Sequence, residues 1–209
     1  MKDRSESAFF EVVVATRNAG KIIEIAAILA VASVRFLSLK DFPHLPEIAE
    51  DGKTFAENAL KKAKTVARLT GQIAVADDSG LTVDALQGRP GIYSSRYAGE
   101  NASDEDRYRK LLKEMESIPE GKRSGAFVCA AAVASPGGDA DVVEARWRGT
   151  IVFDPRGVNG FGYDPVFFLP EMNKTVAELD PAVKNKISHR AQAFEMLKQV
   201  LPKYLSSRP

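Results

Sequence analysis

The chain has 209 residues, 44% of them hydrophobic, and carries 29 basic against 28 acidic side chains. That length can bury a sizeable core without disulfides or a structural metal, and a net charge of +1 argues against a protein that holds nucleic acid on a basic face. The single Cys129, inside an apolar run, excludes a disulfide framework; with no run of roughly 20 apolar residues to span a membrane, the expected setting is cytoplasmic.

Met1 to Ala8 is polar, lacks an apolar core and reads as a loose tail rather than a secretory signal. Glu11 to Ala15 is short and, after its leading glutamate, apolar with three β-branched valines, which predicts a central strand; Lys21 to Ala30 then shows helical spacing, and Val34 to Leu39 returns to a strand pattern. After the Pro-rich loop 41–46, Thr54 and Glu57 fit a capping box for a helix ending near Gly71. Ile73 to Ala76 predicts a buried strand that stops at Asp77-Asp78-Ser79-Gly80, with a further short strand over 81–86. Ser103 caps an amphipathic helix to about Met115. Ala126–Ser135 and Asp141–Trp147 flank a hairpin turn at 136–139, and 149–153 continues the sheet as a third strand. A short apolar run over 166–169 precedes a C-terminal helical region with Pro181 in a first-turn position, closed by Ala191 to Leu201. The class is α/β with one mixed sheet.

Polar motifs interrupt these apolar elements. Thr16-Arg17-Asn18-Ala19-Gly20-Lys21 lies between a strand and a helix, where free N–H groups and the helix dipole favour a phosphate, although it is not a Walker A loop because Ile22 follows Lys21. Asp77 and Asp78 are adjacent carboxylates whose side chains diverge in an extended chain, so one can ligate a hard cation or activate water while the other holds the loop. Upstream, Glu57 has a structural task in the capping box and Glu50 has none, so Glu50 ranks first as a further metal ligand. Gly160-Phe161-Gly162-Tyr163-Asp164 combines permissive glycines, aromatic faces and a carboxylate suited to a nucleobase. Lys184 and Ser188-His189-Arg190, near the start of the last helix, suit anions or carbonyl oxygens. Each motif alone has a structural reading too: a plain βα loop, an Asp-stabilised turn, an aromatic turn packed into the core, a capped helix.

Together, Thr16-x-Asn18-x-x-Lys21, Thr54-Phe-x-Glu57-Asn-Ala59, Ala76-Asp-Asp-Ser-Gly-Leu81, Gly91-Ile-Tyr-Ser-x-Arg96-Tyr, Phe161-Gly-Tyr-Asp-Pro165 and Ser188-His-Arg190 closely resemble the inosine triphosphate pyrophosphatase family across nearly the whole chain. The resemblance implies a single catalytic domain over 1–209, an elongated mixed sheet with flanking helices and two lobes around a central substrate cleft, and a homodimer. It implies hydrolysis of ITP, dITP and XTP between the α- and β-phosphates, with magnesium as cofactor and manganese as a substitute. Carried onto these positions, Asp78 is the general base and a metal ligand, with Glu50 ahead of Asp77 as the second ligand. Thr16 to Lys21 and Ser79 hold the triphosphate, and Phe161, Gly162, Tyr163, Asp164, Lys184, His189 and Arg190 frame and read the base. A donor placed for a 6-oxo group would reject adenine, whereas guanine shares that group and must be refused at its 2-amino group. Three other readings compete: a nucleotide sensor without turnover, a protein stacking single-stranded nucleic acid on Phe161 and Tyr163, and a phosphatase releasing orthophosphate.

Overall fold

The computed structural model describes residues 10–29 and 34–206. The expected tail, Met1 to Ala8, and the last expected helical residue, Ala30, lie outside them.

A seven-stranded sheet runs through the molecule in the order β2-β1-β3-β4-β5-β6-β7. Strand β1 (Phe10–Val14) leads through helix α1 (Ala19–Leu29) to β2 (Val34–Ser38), and both β2 and β3 (Ile73–Val83) lie parallel to β1. Strands β4 (Ser124–Ala134), β5 (Ala140–Ile151), β6 (Phe167–Leu169) and β7 (Lys174–Thr175) add antiparallel pairs. Helix α2 (Phe55–Thr70) links β2 to β3, α3 (Asp104–Glu114) links β3 to β4, and α4 (Pro181–Ile187) and α5 (His189–Leu205) close the chain. The sheet is mixed, as the sequence predicts.

Local chemistry explains the helix limits. The Thr54 side chain accepts from Glu57 N at the head of α2, and Gly71 ends that helix in the left-handed conformation at φ 68. The expected capping box closes differently: the Glu57 carboxylate accepts from Lys53 N, not from Thr54 N. Pro181 sits in the first turn of α4, behind Asp180 as cap.

The strands differ from expectation at one decisive place. Asp77 to Gly80 do not end β3; the strand continues to Val83, held by an antiparallel register running from Ala74↔Ala134 to Val83↔Gly125. The turn preference of an Asp-Asp-Ser-Gly run is local, and a long ladder against β4, buried from Gly125 to Ala134, overrides it. Likewise the expected third strand over 149–153 is the tail of β5, which runs unbroken to Ile151.

Because side chains alternate along β3, Val75 packs with α1 and α5, while Ala74 and Ala76 pack against α2. Small residues on both sides, Ala59, Ala63 and Ala67 on α2 and Ala130, Ala132 and Ala134 on β4, belong to that second cluster and let the helix lie close to the sheet. Further along the same strand, Leu81 and Val83 enter a third core with Phe127, Tyr163, Phe167, Leu111 and Met115. The long strands thus carry two lobes, and the polar residues 77–80 fall where one core stops and the next begins.

Candidate active site

The period of two that sorts the core also sorts the two aspartates. Asp77 shares the face of Val75 and points toward α1 and α5; Asp78 shares the face of Ala76 and points toward α2.

On the first face, Asp77 Oδ2 lies 3.0 Å from Lys21 Nζ and accepts from Arg190 Nη2 at 3.1 Å and from Ser79 Oγ at 2.7 Å. Burial alone would raise its pKa, but Lys21, Arg190 and Lys62 outweigh burial and hold the carboxyl well below its usual range. Arg190 also pairs with Glu24 of α1, which lies 3.5 Å from Lys184 Nζ, and Lys184 in turn reaches Asp164 Oδ2 at 2.7 Å. Three cations and three carboxylates therefore form one connected network.

That network backs the aromatic loop. Asp164 Oδ2 also accepts from Phe161 N at 3.0 Å, and Gly160 is required here because a side chain at its φ of 81 would overlap that carboxylate. Phe161 has Lys184 Nζ 4.6 Å and the Arg190 guanidinium 5.7 Å from its ring centroid. Tyr163 also lines the cleft but is buried in the third core, and its hydroxyl donates to Ser94 O; Phe161 is the more exposed of the two aromatics of this loop. His189 is buried, stacks on Phe127 at 4.9 Å, and its Nδ1 has no partner. Burial, reinforced by Arg190 and Lys184, lowers its pKa well below the usual value, so the ring is neutral at pH 7.

A cleft of about 380 Å³ opens over this face, with Asn18, Lys21, Ser79, Phe161, Lys184 and His189 among its lining residues. Its size suits a small ligand. Asn18 Oδ1 accepts from Lys21 N, and Thr16 Oγ1 accepts from Asn18 N, so the loop is folded into the head of α1. Arg17 turns away and donates to Leu45 O. A larger cleft of about 920 Å³, lined by residues such as Gly71, Ser135 and Tyr204 at the far end of the sheet, contains none of the motif residues.

On the second face, Asp78 Oδ2 accepts from Asn58 Nδ2 at 3.0 Å, and Asp78 Oδ1 lies 3.4 Å from Lys62 Nζ. Lys62 Nζ also meets Glu50 Oε1 at 2.6 Å. Burial raises the Asp78 pKa; Lys62 opposes this and Glu50 adds to it. Lys62 is desolvated as well, but Asp78, Asp77 and Glu50 keep it protonated. Arg96 donates to Glu50 O at 3.3 Å and so holds the loop that carries Glu50.

The hard oxygens of Glu50 and Asp78 thus converge on one cationic point, which the Lys62 ammonium marks. No third His, Cys, Asp or Glu joins them among the described residues. Two carboxylates suit magnesium, which keeps several waters and takes further oxygens from phosphate, so the donor set fits that ion. Glu57, exposed and bonded to Lys53 N, is not part of it.

Glu24, Lys62, Asp104 and Arg107 lie outside every motif, and Asn58, Ser94 and Arg96 stand in motifs that assign them no role. Asn58 and Lys62 carry a signal, since two polar residues at i and i+4 fall on the apolar face of α2 among Ala59 and Ala63. The role of Ser94 is visible only in three dimensions: a Cβ on Gly80 would come within 2.5 Å of Ser94 Oγ and Gly91 O, so a glycine there lets the turn 91–96 lie against β3.

A model of the Ham1 family matches residues 12–200. A dITP/XTP pyrophosphatase of Geobacter sulfurreducens is 56% identical over 90% of this chain and 95% of that protein. One of Geobacillus kaustophilus is 54% identical over 90% and 92%. Among solved structures, a HAM1 protein from Coxiella burnetii superposes with a TM-score of 0.86 at 44% identity, covering 93% of this chain and 100% of that one. The Staphylococcus aureus Ham1 protein gives a TM-score of 0.83 at 39% identity, covering 92% and 98%.

Proposed function

Since the chain belongs to the Ham1 family, we propose that it is a nucleoside triphosphate pyrophosphatase that hydrolyses ITP, dITP and XTP to the nucleoside monophosphate and pyrophosphate, removing non-standard purine nucleotides from the pool. The observation that carries this reading is the division of labour between two adjacent buried carboxylates. Asp77 is neutralised by Lys21 and Arg190, and Asp78 is held by one amide and one ammonium beside Glu50.

Asp78, with a pKa raised by burial, is suited to take the proton of a water directed at the α-phosphorus. Asn58 fixes one Asp78 oxygen and Lys62 faces the other. At the head of α1 in the cleft lining, Lys21 offsets charge on the pyrophosphate that leaves and Asn18 offers it an amide donor. Phe161 offers its face to the base, and Lys184, His189 and Arg190 stand behind it as the groups that meet a 6-oxo purine. Glu50 and Asp78 would hold magnesium, with manganese as a substitute. When bound, the ion would shield phosphate charge and orient water.

The same reading makes the chain one catalytic unit that works as a cytoplasmic homodimer without nucleic-acid or membrane partners. No helix among the described residues is long and apolar enough to cross a membrane.

The test is pyrophosphate release with magnesium from ITP, XTP and dITP beside ATP, GTP and dGTP. Release from the first three, lost in Asp78→Asn, supports the proposal. Orthophosphate as product points to a phosphatase, and binding without turnover points to a sensor.

A further inference from the structure

Hypoxanthine, xanthine and guanine share a 6-oxo group and differ at position 2, which carries hydrogen, oxygen or an amino group respectively. A site that takes the first two and refuses the third needs, beside position 2, a group that donates and cannot accept. An oxygen is then bound, a hydrogen is tolerated and an amino group is repelled.

The cations of the cleft are unequal candidates. Lys21 is engaged by Asp77 at 3.0 Å, Lys184 by Asp164 at 2.7 Å, and Arg190 by Asp77 and Glu24. Arg107, on α3, also lines the cleft, with only 20% of its side chain exposed, and no motif includes it. Its Nη1 is held by Asp104 Oδ1, while its Nε is buried with no acceptor. Asp104 Oδ2 accepts from Gly162 N at 2.7 Å, so one carboxylate ties the guanidinium to the loop that presents Phe161. Asn18, Ser95 and His189, which also line the cleft, each donate and accept and cannot make this distinction alone. A guanidinium only donates.

We propose that Arg107 is a specificity-determining residue that reads position 2 of the purine, favouring a 2-oxo base and excluding a 2-amino base, with Asp104 as its positioning residue. This rests on the pyrophosphatase reading for its substrate class. It also predicts what its loss does: without Arg107, the Asp104 oxygen that held Nη1 becomes an acceptor, which a 2-amino group satisfies.

The experiment compares wild type, Arg107→Met and Arg107→Lys on XTP, ITP and GTP by pyrophosphate release. For Arg107→Met the expected result is a loss of kcat/KM for XTP on the order of tenfold to a hundredfold, mainly through KM, as befits one hydrogen bond from a charged donor. ITP changes by less than about threefold and GTP improves, since neither gains from that donor in the wild type. Arg107→Lys keeps the charge and loses the planar fork, so it falls between the two. A parallel fall on all three substrates, as a phosphate contact or a folding defect would give, overturns the proposal. So does an unchanged XTP:GTP ratio. Dissociation constants of XMP, IMP and GMP, measured by calorimetry on the same proteins, decide Arg107 without turnover: wild type must prefer XMP to GMP and Arg107→Met must lose that preference. A wild type that binds in this order yet releases no pyrophosphate overturns the catalytic reading alone. Absence of any preference overturns the role of Arg107 alone.

Discussion

Asp77 and Asp78 are neighbours in one strand, and both are buried, yet their surroundings differ. Asp77 meets Lys21, Arg190 and Ser79 and is held ionised as part of the frame. Asp78 meets an amide and a single ammonium shared with Glu50, and its pKa moves upward. A carboxylate surrounded by cations is a fastener, and one with a raised pKa and a lighter grip is available for proton transfer. Strand parity is what separates the two roles.

The largest expected effect isolates the reactive side. Asp78→Asn keeps the shape of the side chain and is expected to lower turnover by about 10²–10⁴-fold, the usual weight of a positioned base, with little change in melting temperature. A comparable collapse in melting temperature would make Asp78 structural. Asp77→Ala reverses the pattern: it leaves the buried Arg190 short of a counter-ion and should cost about 3–5 kcal/mol of stability in a denaturant titration. A variant that melts normally but turns over slowly would erase the distinction between the two carboxylates.

Asn58→Ala probes the lighter grip. It removes the donor to Asp78 Oδ2 and the acceptor for Gly52 N, for an expected loss of about 1–3 kcal/mol, with turnover falling more than Asp77-side contacts would explain. A stable, fully active Asn58→Ala would show that Asp78 needs no orientation.

The smallest effect concerns pH and the framed side. His189 has a folded pKa well below its unfolded value near 6.5, chiefly through burial. The stability it contributes is therefore complete above about pH 6.5 and is lost as pH falls toward the folded pKa, by up to about 1.4 kcal/mol per unit. Melting temperatures of His189→Gln should fall less between pH 7 and pH 5 than those of the wild type, and equal slopes would contradict the burial of a neutral ring.

Short continuous apolar runs revealed the central strands, and the capping residues revealed helices, because both signals are local. Continuity of β3 through Asp77 to Gly80 was not legible, since the ladder that imposes it belongs to a strand some fifty residues later. The motif residues around the cleft were legible as polar interruptions of apolar elements. The sequence leaves open whether Tyr163 stacks on a base or packs into the core, because an aromatic in a glycine turn carries no mark of which way it faces; the structure buries it at the edge of the cleft with its hydroxyl on Ser94 O.

What the sequence by itself determined is the kind of chemistry on offer: paired carboxylates, a phosphate-suited loop at a helix start, an aromatic turn and a cationic helix head. Divergence of Asp77 and Asp78 follows from the geometry of an extended chain, and it is the ladder to β4 that keeps the chain extended there. Only the tertiary structure decided which of them the cations would hold. Lys21, Arg190 and Glu24 come from α1 and α5, on one face, while Asn58 and Lys62 come from α2, on the other. Long-range packing of those helices on opposite sides of one strand set the two pKa values apart, and no local pattern in the chain contains that information.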